Sequence, residues 1–160
     1  IGPIMANIYG LYAKADSTLR INNIEEAKQL NLIGVYRNDI RDQTLTRLGF
    51  TNLDRASSNI SSFKKLMMGR IPVYTDSKLG VESLALASGY QANDVKLIFE
   101  LFKSELYIAA SKNTDKRIVD QWNQALEQMK HDKTFAKIEQ KYRQQLSPAL
   151  PTVPVSPHRR

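Results

Sequence analysis

The sequence predicts an α/β domain in which a mainly parallel sheet is flanked by helices. Three observations carry that prediction. Short apolar runs alternate with helix-length amphipathic stretches from Ile8 to Phe102. Leu32-Ile33-Gly34-Val35-Tyr36 is a nearly continuous apolar run, as expected of a strand buried on both faces. Capping residues or glycines stand at the joints, at Asn38-Asp39, Gly49, Gly69 and Gly89. Strands that alternate with helices are joined by right-handed crossovers, which makes them parallel.

Ile8 to Lys14 alternates and is rich in β-formers, so it forms the first strand, with a turn at Asp16-Ser17. A short helix from Ile24 to Leu30 follows, capped by Asn22 or Asn23, with Glu25 and Glu26 where the helix dipole favours anions. The Leu32 to Tyr36 strand is expected to be central. Asn38-Asp39 then caps a helix that carries Leu45 and Leu48 inward and stops at Gly49. Leu53 to Ala56 is a short strand, and a helix capped near Ser58 or Asn59 places Ile60, Phe63, Leu66 and Met67 on one face. Ile71 to Thr75 is another strand, weakened in its first half because Pro72 has no ladder donor. Leu79 to Ser88 is a helix ended by Gly89, and Val95 to Phe102 and Leu106 to Ala110 are the last strands. Two helices complete the order: Ile118, Val119, Trp122, Ala125, Leu126 and Met129 stripe the first, and Asp132 opens a second bearing Phe135, Ile138, Tyr142 and Leu146. After Leu146, four prolines at 148, 151, 154 and 157 make an extended tail or linker.

With 42% hydrophobic and 24% charged residues, the 160-residue chain suits one core or a domain with an appendage. No apolar run approaches the roughly 20 residues of a spanning helix. The chain opens at Ile1 without a basic start and apolar run, as a processed or excised chain would. The absence of cysteine removes disulfides, thiolate catalysis and cysteine metal sites, and suits a reducing cytosol or a bacterial periplasm. Lys and Arg exceed Asp and Glu by 23 to 16, but they are scattered at helical spacing beside acidic or apolar neighbours, as on solvated helix faces. No aromatic-interleaved basic motif accompanies them, so nucleic acid is not an expected partner. No glycine-rich phosphate loop follows a strand, no serine stands in a nucleophile elbow, and His131 and His158 lie far from any carboxylate cluster. A binding protein is expected, not an enzyme, with no cofactor and no metal.

Five segments in order carry a family likeness. They are Gly2-Pro3-Ile4 with the Tyr9 to Lys14 strand, Ile33-Gly34-Val35 with the helix start at Asn38-Asp39, Leu66-Met67-Met68-Gly69-Arg70-Ile71, Leu106-Tyr107-Ile108-Ala109-Ala110, and Ala125-Leu126 through Thr134 to Ile138 and Lys141-Tyr142. The stretch from Gly2 to Tyr142 thus resembles the second half of family 3 extracellular solute-binding proteins, the type that serves amino-acid ABC transporters. The resemblance implies a type II periplasmic-binding-protein-like lobe, with 1–106 as lobe two and its crossover strand, 107–146 as the return strand and closing helices of lobe one, and 147–160 as a Pro-rich tail. It further implies a periplasmic location, a small polar, amino-acid-like solute held between two lobes, and a transporter membrane component as partner of the full-length protein. The earlier part of lobe one would be missing from this chain. Its covering helices would then expose apolar stripes, and a homodimer, an exchanged dimer or repacking onto lobe two is expected. A ligand-sensing or regulatory module of the same fold, with weak or lost solute binding, is the alternative.

Open α/β sheets bind ligands beyond the C-terminal ends of their strands, where helix N-termini offer free N–H groups. Tyr36, Arg37, Asn38, Asp39, Ile40 and Arg41 occupy that place after the Ile33 to Tyr36 strand. Carried over from the resemblance, Tyr36 lines the pocket, the turn from Asp39 to Arg41 presents backbone amides, and Arg41 offers a planar fork to a carboxylate or phosphate. The family commonly has a glycine followed by threonines in this turn, from which Asn38-Asp39-Ile40 departs. Equally open is a purely structural reading in which Asp39 caps a helix and Arg41 points to water. Asp76 is the second candidate, as a carboxylate able to pair with a ligand ammonium or as the N-cap of the following helix; Pro72 stands where the family usually has an aspartate. Tyr9, Tyr12 and Tyr107 are read as β packing, or as hinge or pocket wall, and Trp122 as core.

Overall fold

The computed structural model describes residues 1–146; the Pro-rich segment 147–160 lies outside the described residues. In chain order the elements are β1 (Met5–Lys14), α1 (Ile24–Lys28), β2 (Ile33–Tyr36), α2 (Ile40–Arg47), β3 (Leu53–Ala56), α3 (Asn59–Met67), β4 (Val73–Ser77), α4 (Lys78–Ala87), β5 (Val95–Leu106), α5 (Lys116–His131) and α6 (Thr134–Leu146). The five strands form one sheet in the order β3-β2-β4-β1-β5. β2 runs parallel to β3, with Ile33 opposite Leu53, and parallel to β4, with Ile33 opposite Val73. β1 is antiparallel to both β4 and β5.

The sheet is therefore mixed, and the expected parallel pairing holds only across β3, β2 and β4. The reason is the insertion of β1 between β4 and β5: the crossover through α4 skips one strand, and the skipped strand runs the other way. A second correction concerns the end of the sheet. Two strands, ending at Phe102 and Ala110, were expected, but β5 is a single run to Leu106 and residues 107–110 carry no regular structure. β1 supplies a partner along the whole of β5, from Lys14 opposite Val95 to Met5 opposite Leu106, with register shifts near Gly10 and Tyr12. β4 starts two residues later than expected, beyond Pro72, and Ile71 is buried in the core without being a strand residue.

Alternation along the strands divides the core between the two faces of the sheet. Leu11, Ala13, Ile33, Val35, Leu45, Leu53 and Val73 belong to one cluster. Tyr12, Phe63, Leu66, Ile71, Tyr74, Val81 and Ala85 belong to the other. β4 is buried at every residue, so a strand that carries Thr75, Asp76 and Ser77 lies at the centre of the sheet. Gly34 lets α3 approach β2, because a Cβ there would stand 2.4 Å from Ile71 Cδ1 and 2.7 Å from Ser62 Oγ.

The caps settle the alternatives that spacing left open. Asn23 caps α1 by accepting from the Glu26 amide, Asp39 caps α2 by accepting from those of Arg41 and Asp42, and Ser58 caps α3 by accepting from that of Ser61. Gly49 and Gly69 follow α2 and α3 with φ of +85° and +72°, the left-handed geometry that favours glycine. Two residues expected inward face out: Leu48 is 40% exposed and Ile60 is 43% exposed. Leu48 is the C-cap of α2, where the chain is already turning away, and Ile60 lies in the first turn of α3, before the helix reaches its packing face at Phe63.

The chain divides into two compact units, one of Pro3–Tyr107 and one of Ile1–Gly2 with the chain from Ile108 onward. In the second, the Ile1 ammonium donates to the Ile108 carbonyl, the Ile108 amide donates back to the Ile1 carbonyl, and the Gly2 amide donates to Asn123 Oδ1. Asp115 caps α5. Trp122 is 57% exposed and so is not the core residue that its stripe suggested; Ile118, Ile138 and Tyr142 are exposed with it. Among the described residues of this unit α5 packs against α6, which leaves much of the stripe uncovered. No helix of the described residues is long and apolar enough to cross a membrane.

Candidate functional site

Because β3, β2 and β4 are parallel, their C-terminal ends at Ala56, Tyr36 and Ser77 lie along one edge of the sheet. The first turns of α2, α3 and α4 start there. Between them lies a buried polar network. Arg41, in the first turn of α2, is only 5% exposed. Its Nε donates to Asp39, its Nη2 donates to Asn59 Oδ1 at 2.8 Å and also pairs with Asp39, and its Nη1 donates to the Tyr74 hydroxyl and the Thr75 carbonyl, each at 3.1 Å. Nη1 also lies 2.9 Å from Asp76 Oδ2. Asp76 accepts the Tyr74 hydroxyl at 2.9 Å on Oδ2 and the Ser77 amide at 2.8 Å on Oδ1.

The electrostatics follow from burial and close partners. Burial works against the charge of Arg41, but Asp76, Tyr74 and Asp39 outweigh it and hold the guanidinium above its usual range. Burial pushes the Tyr74 hydroxyl up, and Asp76 adds to the effect. Burial also raises the Asp76 carboxyl, while Arg41, the Ser77 amide and the Tyr74 hydroxyl pull it back in part. Tyr12, on the next strand, is pushed up to about 12 by burial first and by Asp76, Glu82 and Glu100 after it.

The residues named from sequence fall into two groups. Asp39, Arg41 and Asp76 come together in the network, whereas Tyr36, Asn38 and Ile40 stand on an open rim beside it, with Tyr36 36% and Ile40 42% exposed. Arg41 does not point to water. Nor does Asp76 cap α4, since Ser77 does so by accepting from the Gly80 amide at 3.2 Å. Asn38 takes a positive φ of 64°, and its amide donates to Asp42 Oδ2 at 2.9 Å. Asp42 is buried and also accepts from Arg55 Nε at 2.8 Å and the Thr46 hydroxyl at 3.2 Å, which fixes the turn from below.

Sequence reasoning missed Tyr74 and Asn59. The signal for Tyr74 was its place two residues before Asp76, on the same face of one strand. Asn59 was read only as a cap candidate, yet with Ser58 as the cap it becomes the first helical residue and its side chain is free to meet Arg41.

No protein-family model matches the chain, and no curated protein sequence matches it. Solved structures do. An ancestral arginine-binding protein bound to glutamine aligns over 88% of this chain with 23% identity and a TM-score of 0.63. A solute receptor for L-cysteine of Neisseria gonorrhoeae aligns over 86% with 16% identity and a TM-score of 0.63. A histidine kinase sensor domain with similarity to periplasmic binding proteins aligns over 85% with 12% identity and a TM-score of 0.67. The chain spans 61%, 54% and 58% of their respective lengths. Its fold is that of periplasmic amino-acid-binding proteins, in keeping with the resemblance to the second half of family 3 binding proteins. This chain carries part of that fold.

Proposed function

We propose that this chain is the solute-recognising part of a periplasmic binding protein, serving an ABC transporter for an amino-acid-like or similar small polar solute, and that it performs no chemistry on that solute. The observation that supports this reading most is the convergence of three parallel strand ends and three helix starts on one edge, with Tyr36, Asn38 and Ile40 exposed there beside a rigid ionic network. Such an edge offers aromatic surface, backbone polarity and fixed charge, the ingredients of a small-molecule site. In this proposal residues 1–106 act as lobe two, and 107–146 belong with the rest of lobe one, which closes over the solute. The exposed stripe of Ile118, Trp122, Ile138 and Tyr142 meets that lobe, or in its absence a second copy, in a paired or exchanged dimer.

Calorimetry of the full-length protein against acidic, basic and neutral amino acids and small carboxylic acids is expected to give a Kd below about 1 mM for one of these classes. Flat heats from a folded sample count against transport, and light scattering that finds the 160-residue chain monomeric counts against the dimer. A second reading, a ligand-sensing module, is favoured by the similarity to a sensor domain. In that case solute binding is weak or lost, and the further sequence of the protein leads to a signalling domain.

A further inference from the structure

A carboxylate at a strand end grips a ligand ammonium only when it is accessible and has a lone pair free. Asp76 is 6% exposed. Both of its oxygens are engaged: Oδ2 by the Tyr74 hydroxyl and Arg41 Nη1, Oδ1 by the Ser77 amide. α4 closes the remaining side, because a Cβ on Gly80 would stand 2.2 Å from Asp76 Oδ1. Arg41 is held as firmly from its own side, with each guanidinium nitrogen donating to Asp39, Tyr74, the Thr75 carbonyl or Asn59. To admit a ligand cation, Arg41 would have to leave a buried position and strand several acceptors without donors, which is unfavourable for each of them.

The geometry points to Arg41 as a built-in counter-ion that occupies the cation position of Asp76, so that this lobe meets its solute through the rim of Tyr36, Arg37, Asn38 and Ile40 and takes solutes whose facing group is anionic or uncharged, not ammonium. The solute class rests on the solute-binding reading above; the counter-ion role does not. Arg37 suits the assignment: it is exposed, and among the described residues its guanidinium makes one hydrogen bond, a 3.4 Å contact from Nη2 to the Arg55 carbonyl, which leaves most of its fork free for an anion. Arg41 supplies one positive charge to the two carboxylates of Asp39 and Asp76, so the network keeps one negative charge on the side of the partly exposed Asp39, and Arg37 balances it at the rim.

Arg41→Ala empties the guanidinium position and allows a direct test. Guanidinium chloride at about 20 mM, far below the molar range in which it denatures, is expected to bind there. Once it exceeds its dissociation constant several-fold, it should raise the variant's Tm by about 3 °C or more. The unmutated chain should not respond, and sodium chloride at equal ionic strength should not reproduce the rise. Should the variant fail to fold, nitrogen-15 spectra of the unmutated chain decide. Its Arg41 side-chain N–H signals are expected to persist against exchange with water and to ignore methylammonium, while acetate shifts the amides of Tyr36, Arg37 and Asn38. An Arg41→Ala variant indifferent to guanidinium, or methylammonium that shifts Arg41 and the Ser77 amide in the unmutated chain, overturns the counter-ion role. If rescue by guanidinium holds and no anionic or neutral solute disturbs the rim, Arg41 keeps that role and the solute-binding reading fails instead.

Discussion

Asp76→Ala is expected to destabilise the chain by about 3–5 kcal/mol, because it leaves the Arg41 guanidinium buried without its closest carboxylate on the sheet side. The lower half of that range is the better expectation, since Asp39 still faces the guanidinium and is itself partly exposed. Arg41→Met is expected to fall in the same range for the converse reason: Asp76 stays in a site with little water, held only by Tyr74 and Ser77. The double variant Arg41→Met with Asp76→Ala is expected to lose less than the sum of the two single changes, by about 1–3 kcal/mol, because it leaves neither group of the pair buried as a lone charge. Urea denaturation reads all three through the midpoint at constant slope. Strict additivity would mean that the two groups do not interact, whatever their separation.

Phe63→Ala should be as damaging, again by about 3–5 kcal/mol. Phe63 has no exposed surface, and its ring stands edge-on to Tyr74, with centroids 6.4 Å apart, and to Tyr90, at 6.0 Å. Truncation removes the ring through which α3 packs on β4, and the cavity is bounded by strands too constrained to collapse into it. The same contact ties core to site. Tyr74 presents its ring to Phe63 and its hydroxyl to Arg41 and Asp76, so a looser ring means a looser network. A loss below about 1 kcal/mol in urea denaturation would show that Phe63 is not where the second core cluster is centred.

Much of the fold was legible because its signals are local. The apolar run ending at Tyr36 announced β2, and glycines that need a positive φ announced the ends of α2 and α3. What stayed hidden is non-local. Alternation in β1 and β5 shows that they are strands but says nothing of direction, so nothing in the sequence placed β1 antiparallel between β4 and β5. The same limit applies at the site. Asp39, Arg41 and Asp76 were visible as polar residues at element ends, but an arginine in the first turn of a helix ordinarily faces solvent. Arg41 turns inward because β4 is the neighbour of β2, and that adjacency brings Tyr74, Thr75 and Asp76 beneath it from more than thirty residues away.

Everything assigned to the strand-end edge depends on β2 and β4 lying side by side and running the same way. Interstrand nuclear Overhauser contacts measure this directly. The expected result is a parallel pattern linking Ile33 and Gly34 to Val73 and Tyr74, together with an antiparallel pattern linking Tyr9 to Tyr12 of β1 with Tyr74 to Ser77 of β4. Contacts from β2 to β3 alone, or an antiparallel pattern between β2 and β4, would separate Arg41 from Asp76 and contradict both the site and the function drawn from it.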